Sequence, residues 1–444
     1  MAYAYLLLII ACANSLLWLV PDKLPVGTGH TTDVGILLIG LGLAYYLIKG
    51  SAIRQLGNFF TWYVVFYLLL VAVQVSIAAF KYGQSILSGF EGGRSQLYYL
   101  SFPLFLLVLS DLDKVKVFMT AISGLALVIV ALALVNYFGV TIFVHEKAEG
   151  WGYRAGIVRA YIPGMTILVF AALWEFWSYL KDKQLFSAHL VMFLIIYGAV
   201  IFRQDRARVI ALSVVLVLIM LAKRRYRMLA AAIAMVVVAL LVDFTLGDGE
   251  NMFLNAFESA YTELAQGDDV DEGTPWSARL KQVERSWHVF VDNFLTGSGG
   301  LVIHSGVPGL AGFGELKDIA LNWDLGYWVW FKFFGFWGFV YLFALIIGFY
   351  WYALRCGKLG DRAHIGQFAA YHFIMMLISM LTINYVTTPY GIILMCLTWA
   401  LVVRAAKSLE PESESNEHAL ALDSARPPEG DDAPDRLRQT GRWA

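Results

Sequence analysis

The segment AHLVMFLIIYGAVIF (residues 188–202) is followed by the turn RQDRAR (203–208) and then by VIALSVVLVLIMLA (209–222). Neither apolar run carries a charged residue, and the turn between them is too short to hold a domain. A bilayer crossing takes roughly 20 mostly apolar residues, so the pair reads as two membrane spans joined at one face. The basic cluster KRRYR at 223–227 closes the second run. Such clusters favour the cytoplasmic side, which puts the arginine-bearing turn on the outer side.

The same pattern fills most of the chain. Apolar runs lie near 3–20, 34–48, 59–80, 97–110, 117–139, 161–180, 188–202, 209–222, 229–246, 325–354, 368–387 and 390–404, about twelve spans in all. The first run has no basic leader and no A-x-A-like site before Pro21, so a cleaved signal peptide is not expected. Composition agrees: of 444 residues, 59% are hydrophobic and only 15% charged, with a formal net charge of −1. Soluble domains run near 45–50% apolar and about 25% charged. These values exclude a soluble enzyme, and the missing basic field excludes a nucleic-acid binder. Cys12, Cys356 and Cys396 each fall in or beside an apolar run without CxxC spacing. Neither a disulfide framework nor a metal site is indicated.

The expected organisation is an all-α polytopic membrane domain over 1–407, with one large outer loop at 247–324. Residues 408–444 hold nine acids, four arginines and four prolines. That composition predicts a disordered tail. With the amino terminus inside, twelve spans return the carboxyl terminus to the cytoplasm. The inside loops then hold fifteen basic residues and the outside loops thirteen, eight of them arginines. An excess of outward arginine runs against the orientation rule.

Arginine carries a planar fork of donors that matches phosphate oxygens in pairs and stays charged. Beside a membrane it is costly and usually faces a cavity or partner. Arg203, Arg206 and Arg208 share the short turn with a single acid, Asp205. The group therefore suggests a diphosphate site at the outer face; ion pairing with the acidic loop and snorkelling are the plainer alternatives. ATP is not expected there, and no GxxxxGK[ST] loop occurs. A sugar already activated as a lipid-linked diphosphate fits. Its transfer needs cations to stabilise the leaving group and a base for the acceptor hydroxyl.

Three stretches resemble one family. FRQDRARVIAL (202–212) looks like the arginine-bearing start of the region shared by O-antigen polymerases (Wzy-type) and O-antigen ligases, with Arg206 on the family arginine and Asp205 where Ser or Thr is usual. SARLKQVERSWHVFVDNFLTGSGG (277–300) is similar to the family's R…W…G-x-G stretch, placing Arg279, Trp287, Gly297 and Gly299. DLGYWVWFKFFGFWG (324–338) resembles the polymerase D-x-GY…G-x-x-G. Arg94 and GYRAGIVRA (152–160) also stand where the family carries basic residues. Asp324-Leu325 replaces the His-Asn typical of ligases, which points to a polymerase. The resemblance covers roughly residues 90–400. It implies a metal-independent, inverting, GT-C-like glycosyltransferase of the inner membrane, without cofactor. The enzyme would join undecaprenyl-diphosphate-linked repeat units at the periplasmic face. Its partners would be the lipid-linked donor and acceptor, membrane lipid, and a chain-length regulator or other assembly protein.

On this reading Arg206 and Arg279 lead the diphosphate contacts, followed by Arg94, Arg159, Arg203 and Arg285. Asp324 and His304 are the candidate bases; Asp324 at a re-entry into the membrane is also a natural helix N-cap. Arg279 and Arg285 are six apart, so on one helix they share no face. Lys332 either snorkels or joins the cavity. Two rivals stand beside the polymerase: a ligase using lipid A-core as acceptor, and a transporter or flippase of lipid-linked glycans. Transporters bind at the midplane and often show internal repeats, which this sequence does not.

Overall fold

The structure is a computed structural model. It describes residues 1–21, 30–49, 53–144, 152–154, 157–159, 162–182, 187–203, 205–234, 275–301, 326–356, 360–381 and 383–407. The described residues form helices and one short hairpin. In chain order the helices are α1 (Ala2–Ala13), α2 (Thr31–Ile48), α3 (Phe59–Tyr82), α4 (Ile86–Gly93), α5 (Ser101–Val108), α6 (Leu112–Tyr137) and α7 (Met165–Tyr179). They continue with α8 (Ala188–Phe202), α9 (Arg206–Ala222), α10 (Pro275–Asp292), α11 (Tyr327–Phe334), α12 (Phe336–Arg355), α13 (Gly360–Ser379) and α14 (Pro389–Lys407). The hairpin pairs β1 (Gly152–Arg154) with β2 (Ile157–Arg159), Gly152 opposite Arg159 and Arg154 opposite Ile157.

Local sequence sets many of the ends. Asn58 caps α3 by accepting from the Thr61 N–H at 3.1 Å, and Gly83 ends it in the left-handed conformation. Asp111 accepts from the Lys114 N–H at 2.9 Å to start α6.

Helices α2, α3, α6, α12 and α14 are long and apolar enough to cross a membrane. Their surfaces fall in two classes. In α14, 83% of the apolar window is buried, whereas in α2, α3, α6 and α12 the share is 22–39%. So α14 is the central post, packed with α5 and α7, whose residues are buried almost throughout. Trp399 of α14 is fully buried and stacks on Phe60 at 5.2 Å and Tyr99 at 5.9 Å. The outer helices turn residues such as Leu37, Val128, Phe343 and Ile347 away from the protein. In water that would be a large liability; in lipid it is the expected surface. The chain is a helical membrane protein.

Several sequence expectations are refined. Among the described residues five helices have membrane-spanning length and composition, while the apolar helices α1, α7, α8 and α9, at 12 to 17 residues, are shorter. The run at 97–110 is a 3-10 segment, Arg94–Leu100, continued by the eight-residue α5. Most of the run at 229–246 lies outside the described residues, as do the tail 408–444 and much of the loop 247–324. Within that loop α10 occupies 18 residues. The run at 368–387 is displaced to Gly360–Ser379. Its start carries Asp361, Arg362 and His364, which lower the hydropathy of that stretch, while Ala363, Ile365 and Gly366 between them are buried. The run at 325–354 is two helices, broken at Gly335 with φ +57° and ψ −136°.

The break is filled by main chain of residues 294–298. Phe336 N–H donates to Phe294 O at 2.6 Å, and Ser298 N–H donates to Lys332 O at 2.9 Å. A Cβ at Gly297 would stand 1.9 Å from Phe333 O, and one at Gly335 2.4 Å from Phe294 O. Only glycine allows backbones this close, and Gly297, Gly299 and Gly335 all have positive φ. On α3, Gly300 N–H donates to Gln74 O at 3.0 Å, and the Gln74 amide donates to Thr296 O at 2.9 Å. Lys332 is buried, so it does not snorkel; its ammonium lies 5.1 Å from the Phe333 ring centre.

At one end of the bundle charged groups from four helices meet. Asp361 joins Lys116 at 2.6 Å and Lys181 at 2.8 Å, and Lys223 bonds Gln367 at 2.9 Å. The two lysines hold the Asp361 carboxyl down at about 2. This is the end that the basic residues assign to the cytoplasm.

Candidate functional site

At the opposite end a cavity of about 180 Å³ opens where five chain segments meet. Asn14, Ser15 and Trp18 follow α1. Gly164, Met165 and Thr166 start α7. Arg203 ends α8, Arg208 stands in the first turn of α9, and Tyr390 in that of α14. Among the described residues the lining holds two guanidinium groups and no carboxylate.

One wall is strained. Ser15, Leu16, Leu17 and Trp18 all have φ between +45° and +58°. For residues with a Cβ this costs roughly 1–2 kcal/mol each. Local contacts hold the turn: Leu17 N–H donates to Asn14 O at 3.0 Å and Val144 N–H to Trp18 O at 2.8 Å. Leu17 is buried, and the Asn14 amide bonds Ile10 O at 2.9 Å. Strain of this kind persists where surrounding structure enforces it, often at binding sites.

Arg208 is the most enclosed cation of the cavity, 7% exposed. Its Nη1 pairs with Asp205, and its Nε donates to the Tyr385 hydroxyl at 3.1 Å. The guanidinium also lies 5.6 Å from the Tyr385 ring centre and 5.7 Å from that of Tyr390. Arg203 sits half-buried with its guanidinium 5.9 Å above Trp18. A desolvated cation with one carboxylate partner, next to a second cation on the same cavity, is a natural anion site. Thr166 Oγ1, bonded to Asn14 Oδ1 at 3.3 Å, adds neutral polar groups.

A smaller cavity of about 80 Å³ lies on the other side of the segment that carries Tyr385. Gln74, Ser95, Gln96 and Thr387 line it with Phe333 and Phe334. The segment between the cavities is braced: Tyr99 donates to Val386 O at 3.1 Å and Ser95 to Thr387 O at 2.9 Å.

The residues expected from the sequence are distributed as follows. Arg203 lines the larger cavity. Arg94 does not; it pairs with Asp33 at 3.2 Å beside the smaller one. Arg285 is exposed on α10, and Arg279 is on the same helix, its side chain outside the described set. The same holds for Arg159 on β2 and for Arg206, which opens α9. Asp324 and His304 lie outside the described residues. Gly326, two residues after Asp324, is seated on Met380 O, where a Cβ would stand 1.5 Å away.

Sequence reading placed Arg208 in the arginine group of the 203–208 turn but ranked Arg206 and Arg203 as the contacts, and it did not point to Tyr385 or Tyr390. The signal for Arg208 was present: positions 206 and 208 differ by about 200° around a helix, so only one of them faces a given neighbour. Which one was a matter of tertiary packing. The two tyrosines had no signal among 23. Among the described residues no three His, Cys, Asp or Glu side chains gather into a metal-binding group. No family model matches the chain, and no curated protein matches it either.

Proposed function

We propose that the protein joins undecaprenyl-diphosphate-linked oligosaccharide units at the periplasmic face of the inner membrane, as a metal-independent inverting glycosyltransferase of polymerase type. The observation that carries this reading is the meeting of Arg203 and Arg208 on one cavity walled by the ends of α1, α7, α8, α9 and α14. In this reading the donor's diphosphate is held by Arg203 and Arg208. The acceptor hydroxyl oxygen attacks the anomeric carbon while the bond from that carbon to the diphosphate oxygen breaks. The hydroxyl proton passes to a base, for which Asp324 and His304 remain the candidates. The departing lipid diphosphate carries the negative charge that the guanidinium groups stabilise. Arg206, Arg279 and Arg159 stand as further contacts in the same proposal.

Transport is the second reading, favoured by the helix break at Gly335, since transporters bind substrates at discontinuous helices. Here main chain of residues 294–298 fills that break, which speaks for the enzyme. The test is a transfer assay on protein in detergent, with lipid-linked donor and no gradient, supplying repeat-unit acceptor and lipid A-core separately. Polymer from the repeat unit supports the polymerase. Product only with the core acceptor makes it a ligase, and no product with either acceptor refutes both.

A further inference from the structure

We propose that α10 is a membrane-surface helix, seated in the headgroup boundary of the leaflet on the cavity side. The inference rests on the chain being a membrane protein, not on the reaction it catalyses.

Helix α10 is two-faced. Val283, Trp287, Phe290 and Val291 recur at helical spacing, and Phe294 extends the stripe past the C-terminus. Lys281, Glu284, Arg285, His288 and Asp292 are exposed on the other side. One edge of the apolar stripe packs internally: Phe290 is buried, with ring contacts to Phe331 at 6.3 Å and Phe339 at 5.5 Å, and Trp287 meets the Trp328 ring at 5.9 Å with the rest of its indole open. The other edge is turned outward. Trp287 is 47% exposed, Val291 51%, Phe294 46% and Leu295 70%.

This outward edge runs without interruption into a surface that faces lipid. Phe294 meets the Phe336 ring at 5.9 Å, and Phe336 contacts Trp337 at 6.2 Å. From there Val340, Phe343, Ile347 and Leu354 continue one exposed stripe down α12. Helix α12 has 20 residues, about 30 Å at 1.5 Å per residue, enough to span the hydrocarbon layer. Its first turn therefore stands at the headgroup level, where tryptophan concentrates. Trp287, Phe294 and Leu295 join it at that depth, with Lys281 and Arg285 placed toward the phosphates. The same segment continues into Gly297–Gly300, which is bonded to α3 and α11. Lipid contact and the seal over the Gly335 break are thus two ends of one element.

The native cysteines are all buried, so an introduced exposed cysteine takes a thiol-reactive, polarity-sensitive fluorophore selectively. The full chain carrying Val291→Cys, Leu295→Cys or Glu284→Cys is labelled and placed in phosphatidylethanolamine–phosphatidylglycerol vesicles. Spin-labelled acyl chains quench from within the bilayer, and iodide quenches from water. Emission at 291 and 295 is expected to fall about twofold with the spin-labelled lipid and to resist iodide, with Glu284→Cys showing the reverse. Iodide quenching at 291 and 295 equal to that at 284 would place the face in water and overturn the proposal. Protection from both quenchers would mean that protein covers the patch, a second copy or another partner, and would overturn it too. If Val291→Cys does not fold, Leu295→Cys carries the same test, and neither readout depends on glycosyl transfer.

Discussion

Replacing Arg208 by Gln removes one positive charge from the cavity and acts in two separable ways. It strands Asp205, whose side chain is only 17% exposed and whose ion-pair partner is Arg208. Breaking a buried pair by deleting one partner costs about 3–5 kcal/mol; the residual exposure of Asp205 puts the expected loss near the lower end, about 3 kcal/mol. On the proposed glycosyl-transfer reading it also removes a preorganised donor for the departing diphosphate, worth about 10²–10³ in turnover. The double variant Asp205→Asn/Arg208→Gln separates these contributions. With no stranded charge, most of the lost stability should return, whereas transfer should stay about 10²–10³-fold down. Stability is read by thermal unfolding in detergent, and transfer by polymer formed from lipid-linked donor at matched protein concentration. A double variant as stable as the parent that still builds polymer at the parent rate would refute the anion site.

Other perturbations test the frame around the site. Gly297→Ala puts a methyl group 1.9 Å from Phe333 O at a φ of +75°, so the loop must leave the Gly335 break; thermal unfolding should show a loss above about 1 kcal/mol. Glu175 is buried and bonded to Ser123 and to His189 Nδ1 at 2.6 Å, so Glu175→Ala, which leaves the buried Ser123 hydroxyl without this partner, should unfold at lower temperature, by about 1–3 kcal/mol, and Glu175→Gln should lose less. An unchanged melting temperature in Glu175→Ala would show that the three-helix tie contributes nothing. The Asp361 carboxyl is depressed to about 2 by Lys116 and Lys181, so its contribution is complete above the unfolded carboxylate value near 4 and is lost as pH falls toward 2. Because Asp361 is 42% exposed, the difference between parent and Asp361→Asn should be under about 1 kcal/mol at pH 7 and vanish by about pH 2.

The chain's residence in a membrane was legible from apolar runs alone, because lipid forces each span to satisfy its own backbone with helix and to present apolar side chains. The arginine-rich turn at 203–208 was legible for the same reason, as charge stands out where charge is expensive. Other features had no one-dimensional trace. Hydropathy reads 325–354 as one run, yet it is cut at Gly335, because the cut depends on main chain from residues 294–298 arriving there. It likewise misplaced α13, because the charged residues Asp361 and Arg362 in its first turn lower the local hydropathy although the helix begins there.

By itself, then, the amino-acid order determined the solvent of this protein, its helical class and the end of the bundle where cations collect. Each follows from the transfer energy of single side chains, which needs no partner. Only the tertiary structure decided that Arg208 and Arg203 share a cavity with Tyr390 and the left-handed turn at 15–18, while Arg94 is paired with Asp33 elsewhere. Convergence of that kind is a property of packing between segments nearly four hundred residues apart, and no local pattern encodes it.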